Sequence, residues 1–370
     1  MNLTIDRTVF FNALKAVIGV VERKNTHAIL GNVLLTIVGK DLTLTASNLE
    51  MEIRAVLVDS VNASEDFAVT LPARKVYDLL STLPDGTAVQ LDIDAGNALM
   101  KVGRSRYKLS TLPADNFPTI DVSSQSASVS VAQPLLSTMI KQVEFAMATQ
   151  DVRYYLNGML FELEGSQLTL VATDGHRLAK ASTTLEQTQD NKSQLIVPRR
   201  TVIELAKALG DSGEVTLGLA HNHLMLTLGS LSMTVKLIEG KFPEYQRVIP
   251  VNMNFMLAVD KAQLSAALAR VAILANDKLR GVRVTITPDS VELTTNNPEQ
   301  DEADEFIEAS FNGEGMTTGF NLRYLQEVIA VIPTENALFA LKEGNSPCLT
   351  EYNLDGDSIR VSQVIMPMRL

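Results

Sequence analysis

The segment Thr173-Asp-Gly-His-Arg177 sets a carboxylate and an imidazole two residues apart, a pairing that could serve general acid–base chemistry. No Ser or Cys nucleophile stands beside it in the pattern of a hydrolase motif. The segment also closes a strand-like run, Leu168-Thr-Leu-Val-Ala-Thr-Asp174, so it reads first as a turn carrying special side chains. His221 and His223 are alternate residues on an expected strand and would share a face. Two imidazoles without a third ligand make a poor metal site, and a solvated strand face accounts for them. Cys348 has no local His partner and reads as a packed thiol. There is no P-loop and no Gly-x-Gly-x-x-Gly fingerprint after a strand. A hydrolase or metal enzyme built on Asp174, His176 or the His221/His223 pair is thus an alternative reading, disfavoured because no catalytic constellation recurs along the chain.

Two further segments carry charge or apolar surface in unusual places. In Gly103-Arg-Ser-Arg-Tyr-Lys-Leu109, a strand would present Arg104, Arg106 and Lys108 on one face and Ser105, Tyr107 and Leu109 on the other. Glu299-Gln-Asp-Glu-Ala-Asp-Glu305 is the opposite, a concentrated acidic run. The net charge of −11 is unevenly spread: cutting near 124 and 250 gives −2, −1 and −8. A chain with a basic strand near one end and an acidic run near the other can associate head to tail, as a closed ring or an open filament. Exposed ion pairs contribute only ~0.2–1 kcal/mol each, so they select partner and register. Apolar groups such as Tyr107 and Leu109 would supply affinity. The chain ends on Val364-Ile-Met-Pro-Met-Arg-Leu370, where a polar tail is the default. Its paired methionines suit an adaptable partner-binding surface as well as plain anchoring.

The elements that position these groups follow from an internal repeat. Leu42-Thr-Leu-Thr-Ala-Ser-Asn48 recurs as Leu168–Asp174 and as Val291–Asn297, at offsets of 126 and 123. The same offsets relate Val76, Leu79, Leu80 and Leu83 to Val202, Leu205, Ala206 and Leu209, and then to Leu325, Val328, Ile329 and Ile332. They also relate Asn32, Gly158 and Gly281. Each copy is a domain in size, larger than solenoid units of roughly 20–50 residues. The expected domains are 1–123, 124–250 and 251–370. Within each, the apolar period places a first helix (Thr8–Val20, Gln133–Ala148, Lys261–Ala275) and a second (Ala73–Leu83, Arg199–Leu209, Asn321–Ile332) among alternating strands. Pro72 and Pro198 precede the second helix. Two helices beside many antiparallel strands, in three tandem copies, is an α+β arrangement. Short linkers are expected over Val122–Ser130 and Pro250–Asn254. One cysteine and no apolar run of ~18 residues suit a reducing, cytoplasmic setting with no membrane span.

On these residues the chain resembles the bacterial DNA polymerase III beta subunits, the sliding clamps. The most specific strings are Gln150-Asp-Val-Arg-Tyr-Tyr-Leu-Asn-Gly158, Ala172-Thr-Asp-Gly-His-Arg-Leu178, Lys241-Phe-Pro-Glu-Tyr245, Asn296-Asn-Pro-Glu-Gln300 and Met366-Pro-Met-Arg-Leu370. The resemblance covers the whole chain. It implies three DNA-clamp domains per chain, two chains closed head to tail into a homodimeric ring of pseudo-sixfold symmetry, and duplex DNA encircled without sequence preference. It implies no catalytic residue, no metal and no cofactor. The implied partners are the DNA polymerase III alpha subunit, the clamp-loader complex, and other clamp-binding polymerases, ligase and mismatch-repair proteins.

Site residues carried over by that resemblance fall in three sets. A partner-peptide pocket is expected from Leu156, Thr173, Gly175, His176, Arg177, Leu178, Pro243, Arg247, Val248, Val364, Met366, Pro367, Met368, Arg369 and Leu370. In it, His176, Arg177 and Arg247 would supply a polar border. DNA-phosphate contacts are expected from Lys24, Arg74, Gln150, Tyr154, Tyr155, Arg199 and Arg200. The dimer interface is expected to join Lys75, Arg104, Arg106, Tyr107 and Leu109 of one chain to Ile273, Leu274, Glu299, Asp301, Glu302, Asp304 and Glu305 of the other. Lys24 stands where similar clamps often have Arg, and Tyr107 where they often have Phe. A protein-interaction scaffold forming open filaments without DNA is the remaining alternative.

Overall fold

The computed structural model describes residues 1–22, 27–94, 96–122, 127–220, 222–276, 280–343, 345–356 and 358–369, with the side chains of 127 and 189–191 left aside. Lys24, His221 and Leu370, and part of the Val122–Ser130 linker, lie outside the described residues. The chain forms two compact units, Met1–Leu136 with Ile203–Leu237, and Ser137–Val202 with Ile238–Leu370.

In the first unit, one sheet has the strand order Val61–Ala63, Asn2–Asp6, Ala88–Asp94, Asn97–Val102, Ser105–Ser110. A second runs Ala127–Ala132, Glu214–Ala220, His223–Leu228, Leu231–Lys236, Met51–Leu57, Asp41–Ser47, Asn32–Val38, Phe67–Pro72. The second unit holds a ten-stranded sheet. Its order is Gly158–Thr173, Arg177–Pro198, Ile359–Ile365, Cys348–Leu354, Asn336–Leu341, Phe255–Asp260, Glu302–Phe311, Ser290–Asn296, Gly281–Ile286, Met316–Asn321.

Among the described residues, six helices accompany the strands: α1 (Arg7–Val17), α2 (Ala73–Ser81), α3 (Gln133–Val143), α4 (Arg199–Ala208), α5 (Lys261–Leu274) and α6 (Leu322–Val331). Each starts within one residue of where the apolar period predicts: α1 at Arg7 rather than Thr8, α6 at Leu322 rather than Asn321, the other four as expected. Asp6 caps α1 by accepting from the Thr8 and Val9 amides at 2.8 and 3.2 Å. Asp260 caps α5 through Gln263 N at 2.8 Å, and Asn321 caps α6 through Arg323 N and Tyr324 N. The two first helices expected to reach Val20 and Ala148 stop earlier. α1 tightens into a 3-10 turn over Ile18–Val20, and α3 into another over Glu144–Ala146. At Gly19 the Glu204 carboxylate occupies the space a Cβ would need, its Oε2 only 1.8 Å from that position. The small residue lets that carboxylate lie against the turn.

The threefold repeat is visible in register. Asn32, Gly158 and Gly281 each open a strand, opposite Pro72, Pro198 and Asn321, the residues just before α2, α4 and α6. Two seams join successive copies by antiparallel pairing. In the first unit Met51–Leu57 pairs with Leu231–Lys236, Glu52 opposite Thr234. In the second unit Arg177–Pro198 pairs with Ile359–Ile365, Leu178 opposite Val364. Sheet continuity across these seams is why the compact units cut across the sequence copies.

Some sequence expectations change. His223 opens its strand opposite Ala220, with Asn222 in the turn before it. Gly103, at φ 56°, and Arg104 form the hairpin turn, so the basic strand begins only at Ser105. Cys348 is buried as expected, and burial pushes its thiol up to about 12. Among the described residues, no group of three His, Cys, Asp or Glu side chains could hold a metal. Nor is any helix among them long and apolar enough to cross a membrane.

Candidate functional site

The turn after Thr173 is built by its own side chains. Asp174 Oδ1 accepts from the amides of His176 and Arg177 at 2.9 and 3.0 Å, an Asx turn. The Thr173 hydroxyl donates to Arg177 O at 2.6 Å and accepts from Gly175 N at 3.1 Å. Gly175 sits at φ 88°, and a Cβ there would lie 2.9 Å from Arg153 Nη1. Arg153 itself bridges Asp174 O at 3.0 Å and the Asp151 carboxylate at 2.8 Å. The hydrogen bond from Arg153 holds Asp151 down at about 2. The Asp174 carboxylate is therefore committed to the turn and to Arg177, which leaves no acid–base pair with His176.

Arg177 is buried, at 6 % exposure. Its guanidinium donates to Glu327, to Phe145 O and to Asp174 Oδ2, and lies over the rings of Tyr324 and Phe145. Burial alone would raise the Glu327 carboxyl, but the hydrogen bonds from Arg177 and Arg323 outweigh it and hold the group below its ordinary value. With its charge compensated this way, Arg177 can line an apolar space without leaving an unpaired charge inside it.

That space is a cavity of ≈ 190 Å³ in the second unit. Leu156, Thr173, Gly175, Arg177, Leu178, Pro243, Val248, Val364 and Met366 line it, joined by Arg153, Tyr155 and Tyr245. The first nine were expected from sequence. His176 and Arg247, expected as a polar border, are not among the lining residues. His176 stacks on Tyr324 with ring centroids 6.4 Å apart, and Arg247 is largely exposed and paired with Glu244 at 2.8 Å. Pro367, Met368 and Arg369 also lie off the wall. The tail is held by Met366 N to His176 O at 2.9 Å and Met368 N to Gly319 O at 2.8 Å. Tyr155, expected at DNA, lines the cavity wall. Arg153 and Tyr245 were missed, although both stand inside the strings that carried the resemblance.

The remaining expected DNA residues are more scattered in character. Tyr154 is 58 % exposed, and Gln150 is exposed at φ 55°. The Arg199 guanidinium donates to Met147 O at 3.1 Å while its amide binds Asn157 O, so it braces the loop between them. Arg200 is half-buried on α4. Arg74 donates to Val21 O at 2.8 Å and is half-buried, so its guanidinium is partly committed to the backbone.

The expected interface residues divide likewise. Arg106 and Lys108 are exposed on Ser105–Ser110, the edge strand of the five-stranded sheet, and Lys75 is exposed on α2. Tyr107 is half-buried on that strand, and Leu109 is buried within its own chain, at 6 % exposure. On the acidic side Glu299, Asp301, Glu302 and Asp304 are exposed, Asp301 being tied to Asn297 at 2.9 Å. Glu305 is half-buried and bound to Arg270 of its own chain at 2.5 and 2.6 Å, which lowers its carboxyl pKa. Ile273 is 78 % exposed, Leu274 half-buried, and Phe306, absent from the expected set, 69 % exposed.

Comparison with known proteins decides the family. Models of the DNA polymerase III beta subunit match residues 1–121 (N-terminal domain), 130–244 (central domain) and 246–369 (C-terminal domain). The chain belongs to the DNA polymerase III beta subunit family. The beta sliding clamp of Pseudomonas aeruginosa is 43 % identical over 373 residues, and that of Escherichia coli 40 % over 371, each covering the whole of both chains. Among solved structures, the Pseudomonas aeruginosa beta subunit matches at TM-score 0.94 and 42 % identity, and the Caulobacter crescentus beta subunit at 0.91 and 35 %, each again over both full chains. A Pseudomonas aeruginosa sliding clamp bound to griselimycin matches at 0.93. The α+β architecture of three clamp domains is thus that of the sliding clamps.

Proposed function

We propose that this beta subunit is a non-catalytic processivity factor: two chains close into a ring around duplex DNA, and the ≈ 190 Å³ cavity of each second unit takes short aliphatic-aromatic peptides of partner proteins. The partners are the replicative polymerase's alpha subunit, the clamp loader and other clamp-binding polymerases, ligase and mismatch-repair proteins, in a cytoplasmic setting. Exposed Tyr154 and Gln150 and the basic Arg199, Arg200 and Arg74 would touch phosphate in passing, with Lys24 as a further cation of this set. The three sequence domains 1–123, 124–250 and 251–370 remain the units of repetition in this reading.

The observation that carries ring closure is the register of the first seam. By the hairpin pairings Ser47↔Glu52 and Asn296↔Glu302, Glu302 in the third copy is the counterpart of Glu52. By the pairings Val102↔Ser105 and Leu228↔Leu231, Lys108 in the first copy is the counterpart of Thr234. Glu52 faces Thr234 within the chain. A third seam of the same kind, made between two chains, then sets Glu302 opposite Lys108 and Asp304 opposite Arg106. Both pairs are of opposite charge and exposed. Both strands have pairing capacity to spare: Ser105–Ser110 is a sheet edge, and the stretch Glu302–Glu308 pairs on one side only. Phe306 and Ile273, with Tyr107, supply apolar area in place of the buried Leu109.

Native mass and DNA retention test this together. A two-chain species that stays on nicked circular DNA after loading, and leaves it when the circle is linearised, is expected. A monomer, an open polymer series, or retention on linear DNA would overturn encirclement.

A further inference from the structure

Tyr245 stands between two spaces of opposite character in the second unit. It lines the ≈ 190 Å³ apolar cavity, and it also lines a groove of ≈ 280 Å³ with Glu162, Glu164, Gln167, Thr169, Lys180 and Gln246. Its ring belongs to a buried apolar cluster with Leu160, Leu178, Phe242 and Val364. Its hydroxyl points the other way and donates to Glu162 Oε1 at 2.7 Å, a buried bond. Glu162 is only 5 % exposed on the strand Gly158–Thr173. Its other oxygen accepts from Gln194 Nε2 at 2.5 Å and lies 3.2 Å from Lys192 Nζ.

A buried carboxylate is costly unless it is fully bonded. Here the bonds from Tyr245, Gln194 and Lys192 outweigh burial and keep the Glu162 carboxyl below its ordinary value. Burial, with the Glu162 charge, pushes the Tyr245 phenol up, so the hydroxyl stays a donor. A charge-assisted O–H···O⁻ bond is roughly twice as strong as a neutral one. It acts at the far tip of the ring, where it limits rotation and tilt most. Released, the ring could swing toward the groove and merge the two spaces.

We propose that Glu162 is a positioning residue for the peptide cavity: by pinning Tyr245 it keeps the cavity floor closed and sets which apolar anchor fits. This rests on reading the cavity as a peptide pocket. Glu162 touches no peptide itself; it acts through the ring. Lys192 and Gln194 hold the carboxylate ionised and directed, and so belong to the same device.

The test uses the full-length protein and two fluorescent synthetic peptides identical except for the anchor residue, leucine or tryptophan. The wild type is expected to prefer the leucine peptide by roughly tenfold or more, the range set by pocket fit. Tyr245→Phe, which keeps the ring and removes its tether, should narrow the preference to about twofold. Glu162→Gln, which keeps an acceptor without the charge, should fall between, and it decides the matter if Tyr245→Phe does not fold. A preference unchanged in the folded variants, even with both affinities lowered equally, overturns the positioning role while leaving the pocket intact. Failure of the wild type to bind either peptide overturns the pocket reading and this inference together.

Discussion

The Arg177 guanidinium lies 4.4 Å from the centre of the Tyr324 ring while donating to Glu327 on the same helix, α6. One side chain from the turn of the second copy is thereby locked to the third. This bond pattern compensates the charge of Arg177, a residue that lines the apolar cavity.

Glu327→Gln is therefore expected to destabilise the protein by roughly 1.5–3 kcal/mol, as the loss of charge-assisted hydrogen bonds to a buried cation. The pH dependence has a definite sign. The folded carboxyl sits below its ordinary 4.5, so its contribution is complete above that value and is lost as pH falls through the lower folded value. Thermal melts between pH 3 and 7 should show the wild type and the variant converging at the acid end. Parallel curves throughout would count against the bond.

Charge reversal at the proposed intermolecular seam should be reciprocal. Arg106→Glu, placed opposite Asp304, is expected to weaken the dimer about tenfold, since repulsion replaces an exposed pair worth ~0.2–1 kcal/mol. Adding Asp304→Arg should recover most of the loss. Sedimentation equilibrium of the single and double variants reads both steps, and a double variant no tighter than the single would refute the register.

Removing residues 366–370 deletes the Met366 wall of the cavity and the strap bonded to His176 O and Gly319 O. Peptide binding is expected to disappear while the dimer persists, because the proposed interface strands are untouched. Anisotropy with a labelled peptide, beside native mass, separates the two; undiminished affinity would take the tail out of the pocket.

Cys348 should resist alkylation in the native protein. With its thiol pushed up to about 12 by burial, the thiolate fraction at pH 8 is smaller than that of a free thiol by roughly 10³-fold. Iodoacetamide labelling followed by mass should proceed only after denaturation.

Much of the architecture was legible in the residues. The offsets of 126 and 123 located corresponding strands and helices, because helix and strand periods are local properties of a few consecutive side chains. Alternation along 105–110 correctly placed Tyr107 and Leu109 on one face. Which face meets the core is a property of the sheet's packing, and it removed Leu109 from the surface while leaving Arg106 and Lys108 on it.

By itself, then, the sequence determined the repeat, the α+β elements, and the basic strand of the first copy against the acidic run of the third, while its resemblance to the sliding clamps implied most of the cavity's wall. Tertiary structure alone decided that Arg177 is an interior ion held by Glu327, 150 positions away. It likewise decided that Tyr155, Arg153 and Tyr245 join the cavity, and that Glu162 stands behind Tyr245 across 83 positions. The physical reason is the same in each case. A buried charge or hydroxyl is tolerated only where a partner meets it, and that partner is brought by strand pairing and packing between segments whose separation along the chain leaves no local signal.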